Sequence, residues 1–390
     1  MRLVTVICLV SAAAFFFGCS SKPSAQSQTQ THPNEASVAH AAPSPPITNP
    51  LPGMPPVIDP NDIYSEDHEG KMTPVAAKAI ARIYVPNTIS NTVDVIDPAT
   101  YKVVDHFRVG KQPQHVTPSY DLTKLWVLND KGNSLTRIDP LTGKLKETIP
   151  VTDPYNMYYT PDGKYAIVVA EQQLRLNFLD ASTMKLKHSL FTGCKGVDHM
   201  DFSPDGRYLI ASCEFAGAVL KVDVAEQKVI GLLPIGKGNM PQDVKLSTDG
   251  RIFYVADMMA NGIHLIDGDS FKEIGFIATG KGAHGLYVSR DSKVLYVSNR
   301  GEGSITVIDL ATRKILHKWE LPGGGSPDMG GVSADGKVLW LSGRYNSEVY
   351  AIDTSDGKLL ARIPVGHGPH GLCVFPQPGR YSLGHTGVFR

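Results

Sequence analysis

Beyond residue 17 the chain has no apolar run long enough to cross a bilayer as a helix. It has no surplus of charge either, because 38 Lys plus Arg balance 38 Asp plus Glu. A protein held on nucleic acid by phosphate neutralisation needs a basic surface, so this balance counts against that class. No recognisable aromatic stacking stripe for single-stranded nucleic acid is present either. There is no Gly-x-Ser-x-Gly and no His-Glu-x-x-His, which removes the commonest hydrolase and metalloprotease readings. No Cys-x-x-Cys-His occurs, so no c-type haem is attached. Gly275–Gly282 and Gly231–Gly238 imitate a phosphate loop but lack the following Ser or Thr. They lie between strands, 44 residues apart, and read as equivalent connecting turns.

What the chain does have is turn formers: 37 Gly and 28 Pro, a composition that disfavours long helices. At 42% hydrophobic it can still build a core. Arg2 and the apolar run from Leu3 to Phe17 predict a signal peptide over 1–18. The run leads into Gly18-Cys19-Ser20-Ser21, which resembles a bacterial lipobox with Phe16 where Leu is usual. Cys19 is therefore the expected lipidation site; the alternative is an ordinary signal peptide with a chance cysteine. Residues 20–60 hold ten of the 28 prolines and few large apolar side chains. The segment 19–72 is expected to be an extended tether, and 73–390 the folded domain. An extracytoplasmic, lipid-anchored location follows, periplasmic or at the cell surface, with membrane contact only through the N-terminal lipid.

The domain repeats. Strands ending in Asp recur at Asp97, Asp139, Asp180, Asp223, Asp267, Asp309 and Asp353, spaced by 41 to 44 residues. A second marker follows each by 23 to 26 residues: Asp121, Asp162-Gly163, Asp205-Gly206, Asp249-Gly250, Asp291, Asp335-Gly336 and Pro378-Gly379. Asp-Gly between alternating apolar runs signals a hairpin. Four short strands in each period of this length predict a β-propeller blade. A solenoid would need capping repeats, and none is visible. Instead 82–109 supplies three strands and 370–375 a fourth, innermost one. The fold class predicted is all-β: a seven-bladed β-propeller whose last blade joins both ends of the domain.

Tyr84-Val85-Pro86-Asn87, Tyr254-Val255-Ala256-Asp257 and Tyr296-Val297-Ser298-Asn299 are variants of a YVTN repeat, and Pro369-His370-Gly371-Leu372 and Ala283-His284-Gly285-Leu286 match its Pro-His-Gly element. Over 82–376 the chain resembles the YVTN-repeat, or YncE-like, family of secreted seven-bladed propellers. The resemblance implies the fold more than an activity, since such relatives include lactonases, haem-d1 and nitrous oxide reductase domains, and binding proteins. The copper centres of nitrous oxide reductase need more His and paired Cys than this chain has.

Counting seven and six residues back from each hairpin marks the channel entrance of each inner strand. Those positions hold His115, Asp198, His199, Asp243, His284, Asp328 and His370. Arg300 and Arg344, at the ends of second strands, add donors able to clamp an anion. His115, His199, His284 and His370 could ligate a divalent metal, or one of them a haem, though the sequence requires neither. One objection is register: two of these His sit at the seventh position back and two at the sixth, and successive strand residues point oppositely. A structural alternative is that Pro-His-Gly is a consensus turn whose His bonds backbone. Cys194 and Cys213 approach the same end of one hairpin, where a disulfide or two buried thiols would fit; Cys373 resembles a small core residue.

Two function classes follow. One is a tethered module binding a small molecule or protein partner through this His/Asp-rich face. The other is a lactonase-like enzyme or a metal- or haem-dependent oxidoreductase using the same face. A monomer without nucleic acid is expected. Changing Cys19→Ser should move the protein from the membrane to the soluble fraction of a bacterium with lipoprotein-processing enzymes. Identical fractionation of both forms away from membranes would remove the lipid anchor.

Overall fold

The computed structural model describes residues 49–385 and 387–390; the signal segment, Cys19 and the first part of the tether lie outside the described residues. Seven antiparallel sheets contain four blade strands each. In chain order the first six blades span 113–150, 156–191, 197–234, 241–278, 283–320 and 327–364. The closing blade takes three strands from 82–108 and its innermost from Cys373–Phe375. Each inner strand packs beside the next, round to Cys373–Phe375 and back to the first blade. At that junction Val116 donates its N–H to Gly371 and Gly371 donates to Gln114, at 3.0 and 2.9 Å. The ring is a closed seven-bladed propeller.

Both sequence markers act through turn chemistry. At the foot of the first six blades a Ser or Thr hydroxyl donates to the hairpin Asp, from Ser119–Asp121 at 2.6 Å to Ser333–Asp335 at 2.6 Å. The Asp closing each third strand accepts an N–H two or three residues on, as Asp97 does from Ala99 and Asp309 from Thr312. Such local bonds fix a turn without outside contacts. Burial then grades outward: inner strands such as Pro113–Pro118 are buried throughout, whereas outer strands such as Lys228–Pro234 are exposed or half-buried. The core consists of seven apolar layers, one between each pair of neighbouring blades. Tyr84, Val95, Val116 and Val127, for example, join the closing blade to the first. At about 1.5–3 kcal/mol for each large side chain buried, these layers carry the fold.

Two segments outside the repeat cover the base, the face of the Asp hairpins. Residues 51–80, which the sequence assigned to the tether as far as 72, pack there as a strap. Leu51 donates its N–H to Asp205, Ile63 to Thr248 and Ile80 to Pro140. Buried Asp67 pairs with buried Arg290 at 2.6 Å. The low apolar content that suggested a linker persists, but Leu51, Ile63 and Tyr64 are enough to seat the strap. Second, residues after Phe375 turn into the channel. Ser382–Gly384 and Val388–Phe389 form a hairpin that extends the second blade's sheet to six strands. Arg390 pairs with Asp201 at 2.8 Å.

Deleting 370–390 removes the closing strand and the channel hairpin together. Loss of cooperative unfolding and aggregation are expected in calorimetry; a truncated protein melting like the full one would contradict closure by this strand.

Candidate functional site

In five blades the predicted entrance positions coincide with a bulge. Between the paired residues Val197–Cys213 and Met200–Ala211, the inner strand places Asp198 and His199 opposite the single residue Ser212. The same two-against-one count occurs at Gln242-Asp243, His284-Gly285 and Asp328-Met329, and Gln114 is the extra residue of the first blade. A bulge leaves a residue out of the ladder and turns the strand. The freed backbone is satisfied by serines of the second strand: Ser212 accepts from His199 N–H at 3.0 Å and Ser298 from Gly285 at 2.8 Å. Register therefore does not separate the four histidines. His115 lies with its ring centroid 4.7 Å from His370 and 5.5 Å from His199, and His284 lies 6.2 Å from His370. A fifth ring, His385 on the channel hairpin, lies tilted against His115 with centroids 4.2 Å apart. Gly371 makes room for this packing, because a Cβ there would fall within the His115 ring.

These imidazoles are core, at most 2% exposed. Burial pushes all five pKa values down, His199 to about 3 and His370 to about 4. Both ring nitrogens of His115 and Nε2 of His199 and His370 have no hydrogen-bond partner among the described residues. No group of three or more His, Cys, Asp or Glu among those residues is placed to hold a metal ion.

Asp328 is the charged hub. His370 Nδ1 donates to its Oδ2 at 2.8 Å, and His284 Nδ1 lies 3.1 Å from Oδ1. Arg300 Nη1 donates to Oδ1 at 3.0 Å, and Arg344 Nε lies 3.9 Å from Oδ2. Burial alone would raise the Asp328 pKa; His284, Arg300 and His370 outweigh it and hold the carboxyl well below the usual range. With the imidazoles neutral, the two guanidiniums are its lasting counter-charges. Arg344 keeps Nη1 without a partner.

The opposite side of the mouth is acidic. Asp130, Glu171 and Glu214 follow the second strands of three consecutive blades, as Arg300 and Arg344 do in two others. Burial, then neighbouring Glu214 and Asp130, raises Glu171 to about 7; burial and Asp153 raise Asp130 to about 6. Asp198, below them, is 1% exposed and raised well above normal by burial, Glu214 and Glu171. Neither of its oxygens has a hydrogen-bond partner, and His199 Nε2 at 3.3 Å is not aligned to donate.

Some of the predicted positions also brace the fold. Asp243 braces the fourth blade to the fifth, accepting N–H groups from Val244 and Leu286 at 2.9 Å each. Asn87 and Asp257, other second-strand ends, brace their own turns through Thr92 and Ala260. Sequence reasoning missed His385, which falls outside the repeat register and is placed only by the channel hairpin. Cys194 and Cys213 form a disulfide next to Glu214, and Cys373 is a buried free thiol.

A family described as YNCE-like beta-propeller matches residues 66–380. The protein YncE of Salmonella typhi is 22% identical over 58% of this chain and 68% of its own length. The periplasmic gluconolactonase PpgL of Pseudomonas aeruginosa superposes with a TM-score of 0.62 at 20% identity, over 76% of this chain and 99% of its own. Kuenenia stuttgartiensis hydrazine synthase gives 0.61 at 19% identity, over 73% of this chain and 97% of its own. At such identities the structural likeness concerns the fold.

The buried histidines set a pH test. His199 stays neutral when folded down to about 3, whereas unfolded it takes a proton near 6.5. Between those values the unfolded state binds more protons, so this residue removes stability as pH falls. The melting temperature of His199→Gln should therefore decline less than that of the parent between pH 6.5 and 4.5. The raised carboxylates act oppositely but equally in both proteins. Parallel profiles would mean His199 is already charged in the fold.

Proposed function

This chain belongs to the YNCE-like beta-propeller family, and from that premise we propose that it is an extracytoplasmic module, tethered through Cys19, that binds a small molecule with an anionic group at the channel mouth. One observation carries the reading: Arg344 Nη1 is buried without a partner while its Nε leans on Asp328. Asp328 holds Arg300 and Arg344 side by side and leaves donor capacity unused. Unused donors under partial desolvation favour a carboxylate or phosphate, which a guanidinium grips through paired hydrogen bonds. The Cys194–Cys213 disulfide supports an oxidising compartment. The buried histidines form the floor that fixes Asp328.

A second reading, hydrolysis of a bound lactone, has Glu171 in its favour. Its pKa near 7 suits proton transfer at neutral pH, and a similar fold is named a gluconolactonase. Hydrolysis of δ-gluconolactone followed by acid release, lost in Glu171→Gln, would establish it.

For binding, titration calorimetry with acetate, gluconate and inorganic phosphate is the measurement. The best of these should lose about tenfold or more in affinity in Arg344→Met, with melting changed by only a few degrees. Unchanged affinity in that variant would place the anion elsewhere.

A further inference from the structure

The charges round the mouth are sorted, not mixed. Going round the ring, Asp130, Glu171 and Glu214 occupy three successive blades, Met258 the next, then Arg300 and Arg344 two more, and Thr88 closes it. Each arc also holds a buried polar group the protein leaves unanswered: both oxygens of Asp198 on the acidic side and Nη1 of Arg344 on the basic side. Asp328 answers the arginines, whereas no Lys or Arg is paired with Glu171, Glu214 or Asp198 among the described ion pairs. Buried polar groups in native folds are almost always satisfied, and exceptions point to a missing partner.

We infer that the ligand is a zwitterion, a small molecule whose carboxylate meets Arg344 and whose ammonium meets the arc of Glu171, Glu214 and Asp198. This rests on the anion-binding reading above and specifies its ligand. A monopolar anion would answer Arg344 and leave Asp198 orphaned beside crowded carboxylates. A simple cation would do the reverse. An ammonium has three donors and no acceptor, and its charge favours the ionised, acceptor-only form of these carboxyls. Exposed Phe215 and Tyr345 stand directly after Glu214 and Arg344 in the chain, one on each rim, and Arg300 lies over the Tyr345 ring at 5.5 Å. They offer apolar surface for a hydrocarbon spacer between the two charged ends. Glu171 loses its proton near neutrality, so the acidic arc strengthens as pH rises.

The test is calorimetry of the full chain with a series of ω-amino acids: glycine, β-alanine, γ-aminobutyrate and ε-aminocaproate. Each is compared with its N-acetyl derivative and with the alkylamine of equal length. One length should bind about tenfold or more tighter than both of its controls, the scale of one charge-assisted contact. Glu214→Gln should erase the preference over the N-acetyl form, and Arg344→Met the preference over the amine. Glu171→Gln serves the first purpose if Glu214→Gln does not fold. Should the N-acetyl form bind as tightly as its parent, the zwitterion is wrong while the anion site stands. Should the amine bind as tightly, both readings fall; should nothing in the series bind, the zwitterion falls and the anion titrations above decide the other.

Discussion

Three residues, Cys373–Phe375, carry the constraint on which everything else depends, since they pair with the strand beginning at Arg82 and turn a row of blades into a ring. Without that pairing the apolar layer shared by the closing and first blades would open to water. No single blade could bury its two faces alone. Closure also brings His370 beside His115 from opposite ends of the domain. The channel therefore exists only in the completed ring, and its chemistry is a property of closure.

Once closed, the axis has to accommodate an unusual density of polar groups. The fold does this by division of labour. Asp201 and Asp243 accept backbone N–H groups of the next blade and act as rivets between inner strands. The imidazoles shed their charge, which avoids the large penalty of burying five cations together. Asp328, held well below the usual carboxylate range, is ionised against two guanidiniums. Glu171 and Glu214 lie at the mouth, where raised proton affinity blunts their mutual repulsion. A polarised mouth above a neutral floor is the outcome.

The architecture was legible because both Asp markers are local turn devices, readable without knowledge of distant contacts. Blade count, strand order and the shared last blade followed from them. The site was legible in part. The entrance positions were found by counting, and Arg300, Arg344, Asp328 and His370 do come together. The objection that strand alternation would set the histidines apart does not hold, since a bulge cannot be seen in residue identity alone. Asp243 was found by the same count, but its bracing of the neighbouring blade's backbone could not be read from residue identity. His385 and the strap over 51–72 belong to no repeat, so periodicity had nothing to say about them.

The bulges have an evolutionary corollary. A regular strand offers the axis every second residue, while a bulged one brings two adjacent side chains into play before the ladder resumes. At three of the five bulges the freed backbone is bonded by a serine on the neighbouring strand, Ser212, Ser298 or Ser342. Variation at these paired positions can thus proceed blade by blade, with the turn aspartates and interblade layers left untouched. The scaffold behaves as a lock whose tumblers are interchangeable: the side chains at the mouth can be exchanged while the cylinder that holds them keeps the same seven-part form.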